Sequence, residues 1–204
     1  MRPIGIVAVA ALLAHIAFGW WGSLASLALL GVTFALFWER RPPLPSEPKL
    51  VLSPVRGRVI EVHPDRDGWL DRDVLRIRIA VALPGIVPIR APVEGKVMEF
   101  YTACGVFGED QRSCRVDESP DCYVSWIRTD EDEDVLYGVS SRWPVSRARF
   151  WQSPGERVGH GKYSGFVYFA SVVDVLLPPQ SLPRVSAGEH VDAGAHGLAE
   201  LRGR

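Results

Sequence analysis

Pro54-Val55-Arg56-Gly57-Arg58-Val59-Ile60-Glu61 returns later in the chain as Pro92-Val93-Glu94-Gly95-Lys96-Val97-Met98-Glu99. Both stretches read Pro-Val-x-Gly-basic-Val-x-Glu. A second pair is Ser153-Pro154-Gly155-Glu156-Arg157-Val158-Gly159-His160-Gly161 and Ser186-Ala187-Gly188-Glu189-His190-Val191-Asp192-Ala193-Gly194, both reading Ser-x-Gly-Glu-x-Val-x-x-Gly. Each pattern sets a tight glycine turn beside a β-branched strand residue, which is hairpin chemistry. Two copies of two different motifs predict a duplicated β unit. The period is too long, and the copies too few, for a solenoid.

Further strands are expected between these motifs. Leu75-Arg76-Ile77-Arg78-Ile79 alternates as a half-buried strand does. Tyr123-Val124-Ser125-Trp126-Ile127 is rich in β-formers. Val167 to Leu177, broken only by Ser171 and Asp174, reads as one central strand buried on both faces. The run Asp130-Glu131-Asp132-Glu133-Asp134 reads as a solvated hairpin tip. It lacks the spaced ligands and the glycine of a calcium loop.

Composition narrows the class. The chain has 204 residues, 47% hydrophobic and 23% charged, with net charge −1, which leaves no electrostatic footprint for a nucleic acid. Sixteen prolines and nineteen glycines speak against a helix bundle. Cys104, Cys114 and Cys122 match no zinc or redox spacing, so no metal and no disulfide framework is expected, and the cysteines read as thiols in a reducing compartment.

The apolar residues concentrate at the N-terminus. Pro3 to Trp38 carries no fixed charge, with Arg2 before it and Glu39-Arg40-Arg41 after it. As one helix this run would extend about 54 Å, against a hydrocarbon core of about 30 Å. A break at Gly19-Trp20-Trp21-Gly22-Ser23 resolves the excess and gives two short helices, roughly 4–18 and 23–38, the first carrying His15 toward the second. Arginines at both outer ends place both ends in the cytoplasm. A cleaved signal peptide is the rival reading, opposed by the second apolar segment and its stop-transfer ending. Pro42, Pro43, Pro45 and Pro48 then form an extended tether. The expected organisation is a membrane-associated helical hairpin over 1–41, a tether over 42–50 and a β domain over 51–204. The fold class is mainly β, a duplicated barrel-sandwich-like domain with an N-terminal hydrophobic helical hairpin.

The order of segments carries a resemblance. Phe37-Trp38-Glu39-Arg40-Arg41-Pro42 ends the apolar hairpin. Ser53-Pro54-x-x-Gly57 follows, then Arg90-Ala91-Pro92-x-x-Gly95-Lys96-Val97, then Phe169-Ala170-Ser171-x-Val173-Asp174-x-x-Leu177-Pro178, with a Gly-Glu-x-Val-x-x-Gly turn near the C-terminus. From the hairpin to Leu201 this resembles the short, bacterial-type phosphatidylserine decarboxylases. The resemblance implies a membrane-associated, largely β, pyruvoyl-dependent protein that converts phosphatidylserine to phosphatidylethanolamine. In that family a serine hydroxyl attacks the carbonyl before it. The resulting ester eliminates, the chain splits, and the serine becomes an N-terminal pyruvoyl group. That group forms a Schiff base with the substrate amine and serves as the electron sink when carbon dioxide leaves.

Carried onto this chain, the resemblance makes Ser171 the pyruvoyl precursor, with cleavage after Ala170 into 1–170 and 171–204. Arg90 is the candidate for a lipid phosphate or carboxylate, with a structural ion pair as its alternative. Three positions depart from the family pattern. Ala170 stands where glycine is usual, Arg56 where the activating aspartate is usual, and Val87 where the histidine is usual. The family's His-Pro-Gly segment is replaced by Tyr101-Thr102-Ala103-Cys104-Gly105-Val106-Phe107, whose apolar residues suit a bilayer. His63 and His160 read as turn residues, and His190 and His196 as solvated ones.

Three functions follow as expectations. The first is a phosphatidylserine decarboxylase with impaired or lost self-processing, its pyruvoyl cofactor present only to the extent that Ser171 is processed. The second is a catalytically inactive, membrane-anchored lipid- or protein-binding relative. The third is an unrelated envelope interaction module. The expected partners are membrane phospholipid and, in a homo-oligomer, a second copy of the chain, with no nucleic acid. The expected location is the inner (cytoplasmic) membrane, with the β domain facing the cytoplasm.

Overall fold

A computed structural model describes residues 20–21, 24–31, 47, 49–81, 86–104, 122–141, 148–168, 170 and 172–202. The chain divides into two compact units, Met1–Arg41 and Pro42–Arg204.

In the first unit residues 20–21 and 24–31 are helical. Trp20 and Trp21 are thus helical where the sequence suggests a break. Tryptophan has ordinary helix propensity, and a flanking glycine costs about 1 kcal/mol without forbidding a helix. Trp20, Trp21, Leu24 and Leu27 are all exposed. Among the described residues no helix is long and apolar enough to cross a membrane. Most of the expected hairpin, His15 included, lies outside the described residues.

The second unit is built from strands: β1 Leu50–Leu52, β2 Gly57–Asp67, β3 Arg72–Val81, β4 Ile86–Arg90, β5 Gly95–Ala103, β6 Cys122–Arg128, β7 Asp134–Ser140, β8 Ala148–Phe150, β9 Arg157–Val158, β10 Tyr163–Tyr168, β11 Val172–Leu177, β12 Leu182–Pro183, β13 His190–Val191 and β14 Gly197–Glu200. An eight-stranded sheet runs β13-β2-β3-β11-β7-β6-β5-β9. Two three-stranded sheets run β1-β14-β12 and β4-β10-β8. Each of these pairings is antiparallel. The last residues of the expected tether belong to this unit: Leu50 opens β1, and Glu47 accepts a hydrogen bond from Arg184 at 2.7 Å.

The strand order is a palindrome about the β11–β7 contact, and the repeated motifs explain it. Gly57 pairs with Val191 as Gly95 pairs with Val158. The Val59 amide donates to Glu189 O at 2.8 Å, and the Val97 amide donates to Glu156 O at 2.8 Å. β2 and β5 each bulge two residues beyond their glycine pair, between Val59 and Glu61 and between Val97 and Glu99. Gly155 and Gly188 share φ of 95° and 94°, and Gly161 and Gly194 share 66° and 70°, angles that cost a side chain dearly. Each copy of one motif therefore pairs with a copy of the other. β1–β3 match β4–β6, and β7–β10 match β11–β14.

Three expectations need correction. Val167–Leu177 is not one strand: Val167 belongs to β10 in a small sheet, and β11 begins at Val172 in the large one. Both strands are rich in apolar residues, so hydrophobicity continues across the change of sheet and hides it. The acidic run does form the β6–β7 turn, but it is not simply solvated. Glu133 is buried, and Asp134 accepts hydrogen bonds from Trp126 Nε1 at 2.8 Å, Arg128 Nε at 2.9 Å and Arg72 Nη1 at 3.3 Å. Cys104 is disulfide-bonded, with its partner outside the described residues, whereas Cys122 is a buried thiol. Spacing and an odd count do not report the Cα separation a disulfide requires; the fold sets that.

The core lies between the sheets. Val51, Val55, Ile77, Ile79, Ile89, Ile127, Tyr137, Val173, Val175 and Leu198 are fully or nearly fully buried in one cluster. β3 buries Leu75, Ile77 and Ile79 and leaves Arg76 and Arg78 partly exposed, as its alternation predicts.

Candidate functional site

Residues 169–171 join β10 of a small sheet to β11, the strand at the centre of the large sheet. Ser171 and Phe169 lie outside the described residues; their neighbours frame the segment. Ala170 is buried. Val172 is in register with Ala80 of β3 on one side and Ser140 of β7 on the other, and Ser140 and Ser141 are both buried.

The positions expected to activate a serine carry other chemistry. Arg56, just before β2, is 73% exposed, and its Nε lies 3.1 Å from Asp192 Oδ1. Val87 is buried in β4 opposite Val167 of β10. Neither side chain accepts a proton.

His63 and His190 stand apart from the start of β11. His63 lies within β2 rather than in a turn, in register with Arg76, four residues along β3 from Ala80, or about 13 Å. It sits between Glu61 at 3.6 Å and Asp65 at 3.9 Å. His190 is exposed and pairs with Arg58, so β2 and β3 intervene between it and β11. His196 Nδ1 accepts a hydrogen bond from the Asp192 amide at 3.0 Å on an exposed turn.

His160 belongs to a different feature. Its Nε2 lies 2.8 Å from the carbonyl oxygen of Leu50, and burial holds its pKa below the ordinary imidazole value, with that hydrogen bond and Glu94 opposing the shift. It lines a cavity of about 170 Å³ with Lys49, Glu94, Thr129 and Glu133, among others, and neither Ala170 nor Val172 lines it. Glu133 directly precedes β7, the strand that matches β11 in the other half of the duplication. The run of five acids misled here: it reads as a uniform solvated face, and only the register separates buried Glu133 from exposed Asp130.

Arg90 is buried. Its Nη1 donates to Gly161 O at 3.0 Å and its Nη2 to Tyr163 Oη at 2.9 Å, with the guanidinium 4.1 Å from the Tyr163 ring centroid. A Cβ at Gly194 would lie 2.6 Å from Arg90 Cδ, so the glycine turn closes over the arginine stem. These contacts build Arg90 into the scaffold.

No family model and no solved structure matches the chain. Curated relatives do. The phosphatidylserine decarboxylase proenzyme of Cupriavidus metallidurans is 30% identical over 195 residues, covering 95% of this chain and 89% of that protein. Those of Aromatoleum aromaticum and Burkholderia pseudomallei are each 32% identical, covering 90% and 97% of this chain and 84% and 91% of theirs. The chain belongs to the phosphatidylserine decarboxylase family. At the position expected for the activating aspartate it has an arginine engaged with Asp192.

Proposed function

We propose that this protein is a phosphatidylserine decarboxylase-type protein of the inner membrane that engages membrane phospholipid and whose self-processing at Ser171 is impaired or lost. Family membership supports the lipid, since the relatives are named as proenzymes of phosphatidylserine decarboxylase and the similarity runs along nearly the whole of each. The exposed Trp20, Trp21, Leu24 and Leu27 support a membrane anchor in residues 1–41, with 42–50 as tether and the β domain on the cytoplasmic side.

One observation carries the impairment. The two positions expected to draw the proton from Ser171 hold Arg56, paired with Asp192, and Val87, packed opposite Val167. A serine hydroxyl is a weak nucleophile until a base takes its proton, and losing base and orienting partner together typically costs several orders of magnitude. A pyruvoyl group is thus present only to the extent that Ser171 is processed without them. Arg90 acts as a structural cation rather than a headgroup ligand, since it is buried and its two Nη atoms donate to Gly161 and Tyr163.

Intact-mass measurement of the purified chain tests this reading. The expected result is one species at 22.6 kDa, identical in behaviour to Ser171→Ala. Two fragments, 1–170 and 171–204, that vanish in Ser171→Ala would establish an active proenzyme instead. Restoring the family residues in Arg56→Asp/Val87→His should raise the cleaved fraction.

A further inference from the structure

The duplication supplies an internal control for the outer faces of the two small sheets. In the β1-β14-β12 sheet, Glu200 is flanked by Leu50 and Leu182, and in the β4-β10-β8 sheet Phe166 is flanked by Pro88 and Arg149. Arg184 follows β12 as Trp151 follows β8. Their amides donate to Leu198 O at 2.8 Å and Ser164 O at 2.9 Å. The same pair of places thus holds Arg184 and Glu200 in one half and Trp151 and Phe166 in the other. Arg184 bonds Glu200 at 3.0 Å and Glu47 at 2.7 Å, an ordinary solvated face. Trp151 meets Phe166 with ring centroids 6.3 Å apart, and Phe166 meets Tyr168 at 5.4 Å.

That second face is apolar and open. Ile86 is 60% and Trp151 57% exposed, and Tyr168, in register with Ile86, is exposed as well. Arg149 is exposed on the same row as Phe166 and Pro88. None of these six side chains is acidic.

We propose that the outer face of the β4-β10-β8 sheet is a bilayer-docking surface that sits in the headgroup region of an anionic phospholipid membrane. Tryptophan and tyrosine present an apolar ring and a polar tip, which matches the boundary between headgroups and acyl chains. Arg149 complements anionic headgroups. A second copy of this face would set Arg149 against the same six described side chains, none of them a carboxylate, so charge favours lipid over self-association. The proposal rests on the reading of the chain as one that works on membrane phospholipid.

Tryptophan fluorescence of the full chain on vesicles of phosphatidylcholine and phosphatidylglycerol, with and without bromine on the upper acyl chain, tests it. The Trp151 signal is the difference between the protein and Trp151→Phe, which isolates it from the other tryptophans and from the N-terminal anchor. Bromine is expected to quench that difference about twofold. It should leave unquenched a tryptophan placed on the mate face by Leu182→Trp. Quenching should weaken when phosphatidylglycerol is omitted or in Arg149→Glu. An unquenched Trp151, equal quenching at residue 182, or a lipid-independent Trp151 spectrum that shifts with protein concentration would each overturn the proposal, the last in favour of a second copy. Quenching requires neither self-cleavage nor decarboxylation, so a chain that stays intact at Ser171 still tests the surface.

Discussion

The two halves of the β domain share their strands, bulges and glycine turns and differ in what they carry. One half places β6 and β7, joined by the acidic turn, where the other places β3 and β11. One small sheet is faced with Arg184, Glu200 and Glu47, the other with Trp151, Phe166 and Tyr168. Backbone register is held by the glycines and by cross-strand pairing, so the side chains on outer faces and strand ends are free to diverge. The duplicated scaffold accounts for stability, and its departures from symmetry mark the places where function is to be sought.

The strongest test of the shared scaffold is a methyl group at its two equivalent glycines. A Cβ at Gly57 would lie 2.1 Å from Ala80 O, and one at Gly95 2.2 Å from Arg128 O, both backbone atoms of the adjacent strand. Gly57→Ala and Gly95→Ala should each cost about 3 kcal/mol by overpacking, measured by urea denaturation. If one is tolerated and the other is not, the halves do not share their packing.

A smaller effect separates the strand starts. Asp134 opens β7 and is the common acceptor for Trp126, Arg128 and Arg72, whereas Val172 opens β11. Asp134→Ala should destabilise by about 2 kcal/mol through lost charge-assisted hydrogen bonds, and Val172→Ala by about 1 kcal/mol through lost packing. Reversal of that order in thermal unfolding would place the stabilising polar cluster elsewhere.

The smallest effect concerns His160, whose pKa burial depresses in the folded chain. The unfolded chain then binds the proton more readily, so this group's stabilising contribution is present above the ordinary imidazole pKa and is lost as pH falls below it. His160→Gln retains an N–H for the Leu50 carbonyl. Its unfolding midpoint should fall less than that of the unsubstituted chain between neutral and mildly acidic pH. Parallel curves would show that His160 does not couple to folding.

Much of this fold is legible in the chain. The paired motifs reveal the duplication because glycine at positive φ and a β-branched neighbour are local requirements. Leu75–Ile79 announces a half-buried strand by its period. The passage from β10 to β11 is hidden, since apolar residues suit both strands and nothing local marks a change of sheet. At the candidate site the departures from the family's usual residues are readable at Arg56 and Val87. The Asp192 partner of Arg56 and the contacts that bury Arg90 are not, because each joins residues far apart in the chain.

From residues alone came the β duplication, the apolar N-terminal run, the family and the departures from its pattern at Arg56 and Val87, all of which depend on short-range chemistry and residue identity. Tertiary structure alone decided which motif copy pairs with which, that Glu133 is buried while Asp130 is exposed, and that one of two equivalent faces is aromatic and open. Register and burial arise from contacts between distant segments, and a linear pattern holds no record of which face a strand will turn to solvent.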